Sequence, residues 1–267
     1  MGPPQRSHVV SAASEMRWRT SNTRGHRGHS YSYVSMKSRI IMAKVTVSSE
    51  RVLFGVFLAV SLVFGCTSTA DQEVRRLRAR SLYEQGLKNL ADRQVSIGLT
   101  SLREAVQLDP ENPIFHNTLG VLLLDLRKPA DAEAEFAKAT ELDPTYAEAQ
   151  HNLGLSFAEQ GRYEQAIGAY RKALSLPVYP TPEVAYYNLG RAYAETSKPR
   201  EAEEALRTAI QLDPKLAPAY YQLGVVFASA GRSEEAKAAF RRTRDLDPTS
   251  PFGQAALQAL KTLGDGG

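Results

Sequence analysis

The chain of 267 residues contains one cysteine, Cys66. A single thiol cannot close an intramolecular disulfide, so no covalent framework sets the fold, and no Cys or His cluster has metal-ligand spacing. Long apolar runs are scarce as well. VLFGVFLAVSLVF, residues 52–64, is thirteen residues long, where a comfortable crossing of the hydrocarbon core takes about 20. An excess of positive charge is missing from most of the chain. Of 33 Lys and Arg, nine lie in residues 1–65 beside only two acids, which leaves 24 bases against 27 acids from Cys66 onward. That balance removes the electrostatic case for nucleic-acid binding by this part. A composition of 43% hydrophobic and 23% charged residues is that of an ordinary globular protein and names no function.

Lys44 and Arg51 precede the apolar run, and together they have the proportions of a secretory leader, a basic stretch followed by a hydrophobic one. A signal peptide over 42–65 starting at Met42 follows. Residues 1–41 are rich in Ser and Arg with little apolar periodicity, and read as disordered or as translated from an upstream start; a mitochondrial transit peptide is the competing reading of such a front. Val63-Phe64-Gly65-Cys66 resembles the lipobox of bacterial lipoproteins, with Phe64 standing where a small or aliphatic residue is usual. The resemblance implies acylation of Cys66, cleavage before it and a linker over 66–78; the alternative is a buried cysteine ending a signal anchor. Each buried methylene contributes about 0.8 kcal/mol, so two or more acyl chains hold a protein at a membrane it does not cross. Thr67, which is not Asp, resembles the outer-membrane class of Gram-negative lipoproteins.

Beyond residue 78 the sequence repeats. Gly86, Gly120, Gly154, Gly190 and Gly224 stand 34, 34, 36 and 34 residues apart, and Leu119, Leu153, Leu189 and Leu223 precede the last four. Ala132, Ala166, Ala202 and Ala236 follow twelve residues later, then Phe136, Tyr170, Leu206 and Phe240, and full repeats close near Pro110, Pro144, Pro214 and Pro248. This period and pattern are the tetratricopeptide signature, a pair of helices A and B that cross closely at small residues. The expected fold class is all-α: a right-handed superhelical solenoid with hairpins over 79–112, degenerate, then 113–146, 147–182, 183–216 and 217–250, and a capping helix over 251–264. Gly161 and Gly231 suit the left-handed end of helix A, and Pro129 and Pro199 the first turn of helix B. SLPVYPTPEVAYYNLG, residues 175–190, carries two extra residues in a turn stiffened by Pro177, Pro180 and Pro182. It predicts either a changed angle between the halves of the solenoid or a tolerated loop insertion.

Counting from the start of each hairpin, helix A lines a concave face with positions two, five, nine and twelve. Position five holds Tyr83, Asn117, His151, Tyr187 and Tyr221; position nine holds Leu87, Val121, Leu155, Arg191 and Val225. Apolar side chains facing a groove suggest a partner that covers them, an amphipathic helix or extended segment, unless packing between adjacent A helices consumes them. Asn152 and Asn188, one step beyond position five, are candidates to bond a peptide backbone. The Lys and Asn of a carboxylate clamp for chaperone tails are absent from these places. Nothing points to catalysis: His116 occupies a packing position, and His151 has no Cys or Ser partner at meaningful spacing. No cofactor, metal, nucleic acid or small-molecule substrate is implied.

A lipobox, a short linker and tetratricopeptide hairpins with an extra-long, YP-containing junction resemble, over 66–264, the pilotin lipoproteins of type IV pilus biogenesis. This is the PilF/PilW group, which includes the social-motility lipoprotein of gliding bacteria. The resemblance implies a non-enzymatic assembly factor, anchored to the outer membrane and facing the periplasm, that takes the secretin subunit to its membrane and promotes its multimerisation through the groove. The rival readings are an envelope scaffold recruiting peptidoglycan hydrolases or proteases and, third, an accessory of lipid or polysaccharide export.

Overall fold

The computed structural model describes residues 49–264, with side chains from residue 69 onward. Residues 1–41, most of the expected leader and the Cys66 side chain therefore lie outside what is described. Among the described residues no helix is long and apolar enough to cross a membrane, and no strand is present. The described residues form eleven helices in succession: α1 (Ser49–Ala91), α2 (Val95–Leu108), α3 (Pro113–Asp125), α4 (Pro129–Leu142), α5 (Ala147–Glu159), α6 (Tyr163–Ser175), α7 (Pro182–Glu195), α8 (Pro199–Leu212), α9 (Ala217–Ser229), α10 (Ser233–Leu246) and α11 (Pro251–Thr262). The chain divides into two compact units, Met1–Leu77 and Arg78–Gly267. Helical backbone is all that is described of the first before residue 69.

In the second unit each A helix packs on its own B helix, α3 on α4, α5 on α6, α7 on α8 and α9 on α10, and each B helix packs on the next A helix. The small residues explain how. Gly120, Gly154, Gly190 and Gly224 have no room for a side chain: a Cβ on Gly154 would meet the Tyr170 ring at 2.5 Å, and one on Gly224 the Phe240 ring at 2.6 Å. Ala132, Ala166, Ala202 and Ala236 are fully buried one turn before Phe136, Tyr170, Leu206 and Phe240. Each large side chain fills the space that the glycine opposite leaves, and burying one contributes about 1.5–3 kcal/mol. The first hairpin keeps the arrangement in weaker form, with Gly86 against Leu102 and Gly98 against Leu90. At the far end α11 covers α10 and part of α9, and Phe252 packs against Tyr221 at 5.7 Å between ring centroids.

Two kinds of turn join the helices. Between A and B the chain takes a left-handed residue followed by a backbone hydrogen bond to a carbonyl five residues back, for example Arg162 N to Phe157 O at 2.9 Å and Arg232 N to Phe227 O at 2.9 Å. Gly161 and Gly231 adopt this with φ of 74° and 73°, as their chemistry allows. Arg93, Arg127 and Ser197 occupy the equivalent places with φ of 61°, 60° and 58°, so three of the five hairpins hold an L side chain in a conformation that disfavours it. At three of the five turns between B and the next A, a side chain in the first turn of the new helix donates to the carbonyl of the closing proline. His116 Nε2 donates to Pro110 O at 2.9 Å, Tyr220 to Pro214 O at 3.4 Å, and Gln254 Nε2 to Pro248 O at 2.6 Å.

His116 has a second partner, Glu135 Oε2 on α4, at 2.6 Å from Nδ1. Burial works against its charged form, but both ring nitrogens face acceptors, and the bonds to Glu135 and Pro110 outweigh burial and the nearby Lys138 to raise its pKa above the usual imidazole value. A raised native pKa makes this contribution to stability complete below about pH 6.5 and lost as pH climbs through the native value.

The extra residues of the third junction lie between α6 and α7. Val178 is 79% exposed, while Tyr179 turns back to hydrogen-bond His151 Nδ1. Tyr146 at the end of the second hairpin does the equivalent for Asn117, at 3.1 Å. The insertion thus keeps a tyrosine over position five despite its added length.

Gly154→Ala should lower stability by about 1–3 kcal/mol through overpacking against Tyr170, and Ser197→Gly should raise it by about 1 kcal/mol by relieving the left-handed strain; chemical denaturation followed by circular dichroism measures both. His116→Gln keeps a donor for Pro110 but does not titrate. The stability of the native chain relative to this variant should be greatest, by about 1–2 kcal/mol, near pH 5.5 and should shrink as pH rises from 6.5 towards 9; a difference that grows with pH would contradict the charged pairing.

Candidate partner-binding groove

The A helices place positions five and six of successive hairpins side by side, and polar residues there bond across the helix boundary. The Tyr83 hydroxyl pairs with Thr118 Oγ1 at 3.1 Å, Asn152 Nδ2 donates to Asn117 Oδ1 at 2.9 Å, and Asn188 Nδ2 lies 3.0 Å from His151 Nε2. With Asn188 donating to Nε2, His151 Nδ1–H is left to donate to the Tyr179 hydroxyl. The result is a ladder of three rungs between hairpins one and four, extended by Asn117 Nδ2 donating to Tyr146. Buried amides and imidazoles cost about 1–3 kcal/mol when unpaired, so a slip of one helix against the next would be penalised at each rung.

This ladder changes where several expected groove residues stand. Asn117, His151, Asn152, Tyr187 and Asn188 are buried, Tyr187 to 3% exposure, and belong to the wall between adjacent A helices rather than to its open face. The physical reason is lateral helix packing: position five points at the neighbouring A helix, where Asn117 and His151 find hydrogen-bond partners, while Tyr187 is buried with Arg191 of its own helix beside it. Tyr83 is half-buried and stacks on Phe115, with centroids 4.7 Å apart. Tyr221 is half-buried between Phe240 and Phe252. Burial pushes the phenols of Tyr187 and Tyr221 above their usual range, with Arg191 opposing the rise at Tyr187.

Position nine is the more open line. Leu87, Val121, Leu155 and Arg191 are half-buried, and Val225 is 37% exposed. Ile114, at position two of the second hairpin, is 51% exposed. It was absent from the residues named from sequence, although its position was among those expected to face the groove. Exposed Val225 on a line of half-buried aliphatic side chains, with Ile114 exposed at a second groove-facing position, makes a surface that can take an apolar partner segment. Outside the groove, α8 and α9 enclose a shallow depression lined by Glu204, Arg207, Thr208, Gln211, Tyr220 and Leu223. No group of His, Cys, Asp and Glu among the described residues is arranged to hold a metal ion.

On the back of the hairpins a second periodic set of contacts ties B helices to the turns that follow. Arg162 Nη1 pairs with Glu133 at 2.5 Å and lies over the Phe157 ring; Arg232 Nη1 pairs with Glu203 at 2.5 Å and lies over Phe227. Arg232 and its neighbour Arg207 hold the Glu203 carboxyl below its usual range. Removing a rung of the buried ladder should matter more than removing one of these partly exposed pairs. Asn117→Ala leaves Asn152 and Tyr146 short of partners and should cost about 1–3 kcal/mol, against less than about 1 kcal/mol for Glu133→Gln, measured as shifts of the urea midpoint.

The tetratricopeptide repeat family matches residues 76–147, 117–180 and 187–251. The type IV pilus assembly protein PilF of Pseudomonas aeruginosa is 31% identical over 131 residues, 47% of this chain and 52% of that protein. The small glutamine-rich tetratricopeptide repeat-containing protein 2 of Saccharomyces cerevisiae is 26% identical over 106 residues, 40% of this chain and 31% of that protein. The chain thus spans about a third to a half of the length of these curated relatives. Among solved structures, PilF of Pseudomonas aeruginosa superposes with a TM-score of 0.62 at 21% identity over 72% of this chain and 86% of its own. PilW, a widely conserved type IV pilus biogenesis factor, gives 0.63 at 21% identity over 70% and 88%. MamA gives 0.57 at 25% identity over 64% and 92%. At 21% identity the PilF and PilW structures speak to the fold alone. With matched repeats over more than half of its length, the chain belongs to the tetratricopeptide repeat family.

Proposed function

We propose that this chain is a lipid-anchored binding protein of a bacterial envelope, which holds a segment of the type IV pilus secretin in the groove of its hairpins and assists the secretin's outer-membrane localisation and multimer assembly. The observation that carries the reading is the position-nine line ending at exposed Val225, together with Ile114 exposed at position two of the second hairpin, on a fold whose core is already filled. Repeat proteins of this family are protein-interaction scaffolds, which supports binding rather than catalysis. The sequence likeness to PilF supports a pilus partner. Acylation of Cys66 would add a membrane tether without a membrane-crossing helix and would hold the groove on the periplasmic side of the outer membrane.

Cys66→Ala should yield a folded, soluble periplasmic protein in cell fractionation; a variant that still sediments with outer membranes would contradict the anchor. Val225→Asp combined with Ile114→Asp should abolish detergent-resistant secretin multimers on a gel, with unchanged levels of the variant. Multimers that form normally would favour a scaffold for peptidoglycan hydrolases, proteases or export machinery.

A further inference from the structure

The polar ladder stops at the fourth hairpin. Three rungs join a fifth-position side chain to the sixth position of the next hairpin, ending at His151 and Asn188. The rung that would follow joins Tyr187 to Gln222, and it is not made: Gln222 is half-buried and forms no side-chain hydrogen bond among the described residues. Beside it stands the only charge on the position-nine line. Leu87, Val121, Leu155 and Val225 are aliphatic, and Arg191 is the exception.

The Arg191 guanidinium lies 5.7 Å from the centroid of the Tyr187 ring, half-buried, and no carboxylate pairs with it among the described residues. Arg127, Arg162 and Arg232, by contrast, are each held by a glutamate. A guanidinium carries five donors in a rigid fork, and the ring and hydroxyl of Tyr187 satisfy few of them. A cation without a carboxylate partner, set in an apolar line next to an amide with free bonding capacity, is complementary to a segment that brings its own carboxylate.

Resting on the reading that the groove captures a partner segment, we propose that this segment carries an internal aspartate or glutamate side chain that pairs with Arg191, apolar residues on both sides of it, and a backbone group bonded by Gln222. The position-nine neighbours decide for a side chain over a chain terminus. Leu155 lies one hairpin before Arg191 and Val225 one hairpin after, so the occupant has apolar surface to cover in both directions and runs past the cation rather than ending at it. The junction of the last two hairpins, where the ladder has no rung, is the reading end of the groove.

The test uses the full-length protein in detergent, titrated by fluorescence anisotropy with labelled leucine-rich peptides of about twelve residues. The peptides carry a central glutamate, glutamine or lysine, and a fourth has its C-terminal carboxylate as its only acid. The glutamate peptide should bind about tenfold more tightly than the glutamine peptide, with lysine weakest. That preference should vanish in Arg191→Gln and persist in part in Arg191→Lys. Should Arg191→Gln lose its helical circular dichroism, Val225→Lys takes its place: a second cation should widen the preference for glutamate. Equal binding of glutamate and glutamine peptides, a preference that survives in Arg191→Gln, or no effect of Val225→Lys would overturn the carboxylate while leaving groove capture standing. Tighter binding of the terminal-acid peptide would overturn the internal placement, and no binding of any peptide would remove both.

Discussion

The close crossing of two helices at a glycine sets everything else in the repeat unit. Because Gly120, Gly154, Gly190 and Gly224 carry no side chain, a ring or leucine from the B helix lies against the A-helix backbone itself. The A helices are thereby held at a depth where positions five and six of successive hairpins meet. The ladder, the half-buried position-nine line and the tyrosines over position five are consequences of that spacing. A hairpin forced open by one methyl group would lose not only its own packing but also its rungs to both neighbours, since the solenoid is stabilised by nearest-neighbour contacts.

Much of the fold was legible in the sequence because small and large residues recur with one period. The glycines, alanines and rings each have a single structural role, and a period of 34 leaves few alternatives. Pro129 and Pro199 do open B helices, and Gly161 and Gly231 do take positive φ. Arg93, Arg127 and Ser197 at the same turn were not legible, since nothing in an Arg or Ser announces a left-handed residue; the turn's own hydrogen bonds impose it. The Glu135 bond that raises the His116 pKa joins two helices and likewise has no local signal.

The groove was less legible than the fold, for a reason visible in particular residues. Position five was expected to offer Tyr187 and His151 to a partner, yet both are buried in the wall, His151 bonded to Asn188 of the next helix and Tyr187 packed away from solvent. Sequence spacing gives the face of a helix but not which neighbour has filled it. The ladder pairs residues 35 or 37 positions apart, and such pairs emerge only when the curvature of the stack is known. A wall of A helices whose polar rungs are satisfied up to the fourth hairpin but missing between Tyr187 and Gln222 is therefore a finding of the structure. It gives the concave surface a direction.

The central claim is that a partner segment lies along the position-nine line, and photo-crosslinking tests it most directly. A photoreactive residue is placed in turn at Val225, in the groove, and at Leu212 and Val178, which are exposed elsewhere, in cells that produce the secretin. The account predicts a covalent secretin adduct from Val225 and none from the other two sites. Adducts from Leu212 or Val178 with Val225 silent would place the partner on another face and contradict it.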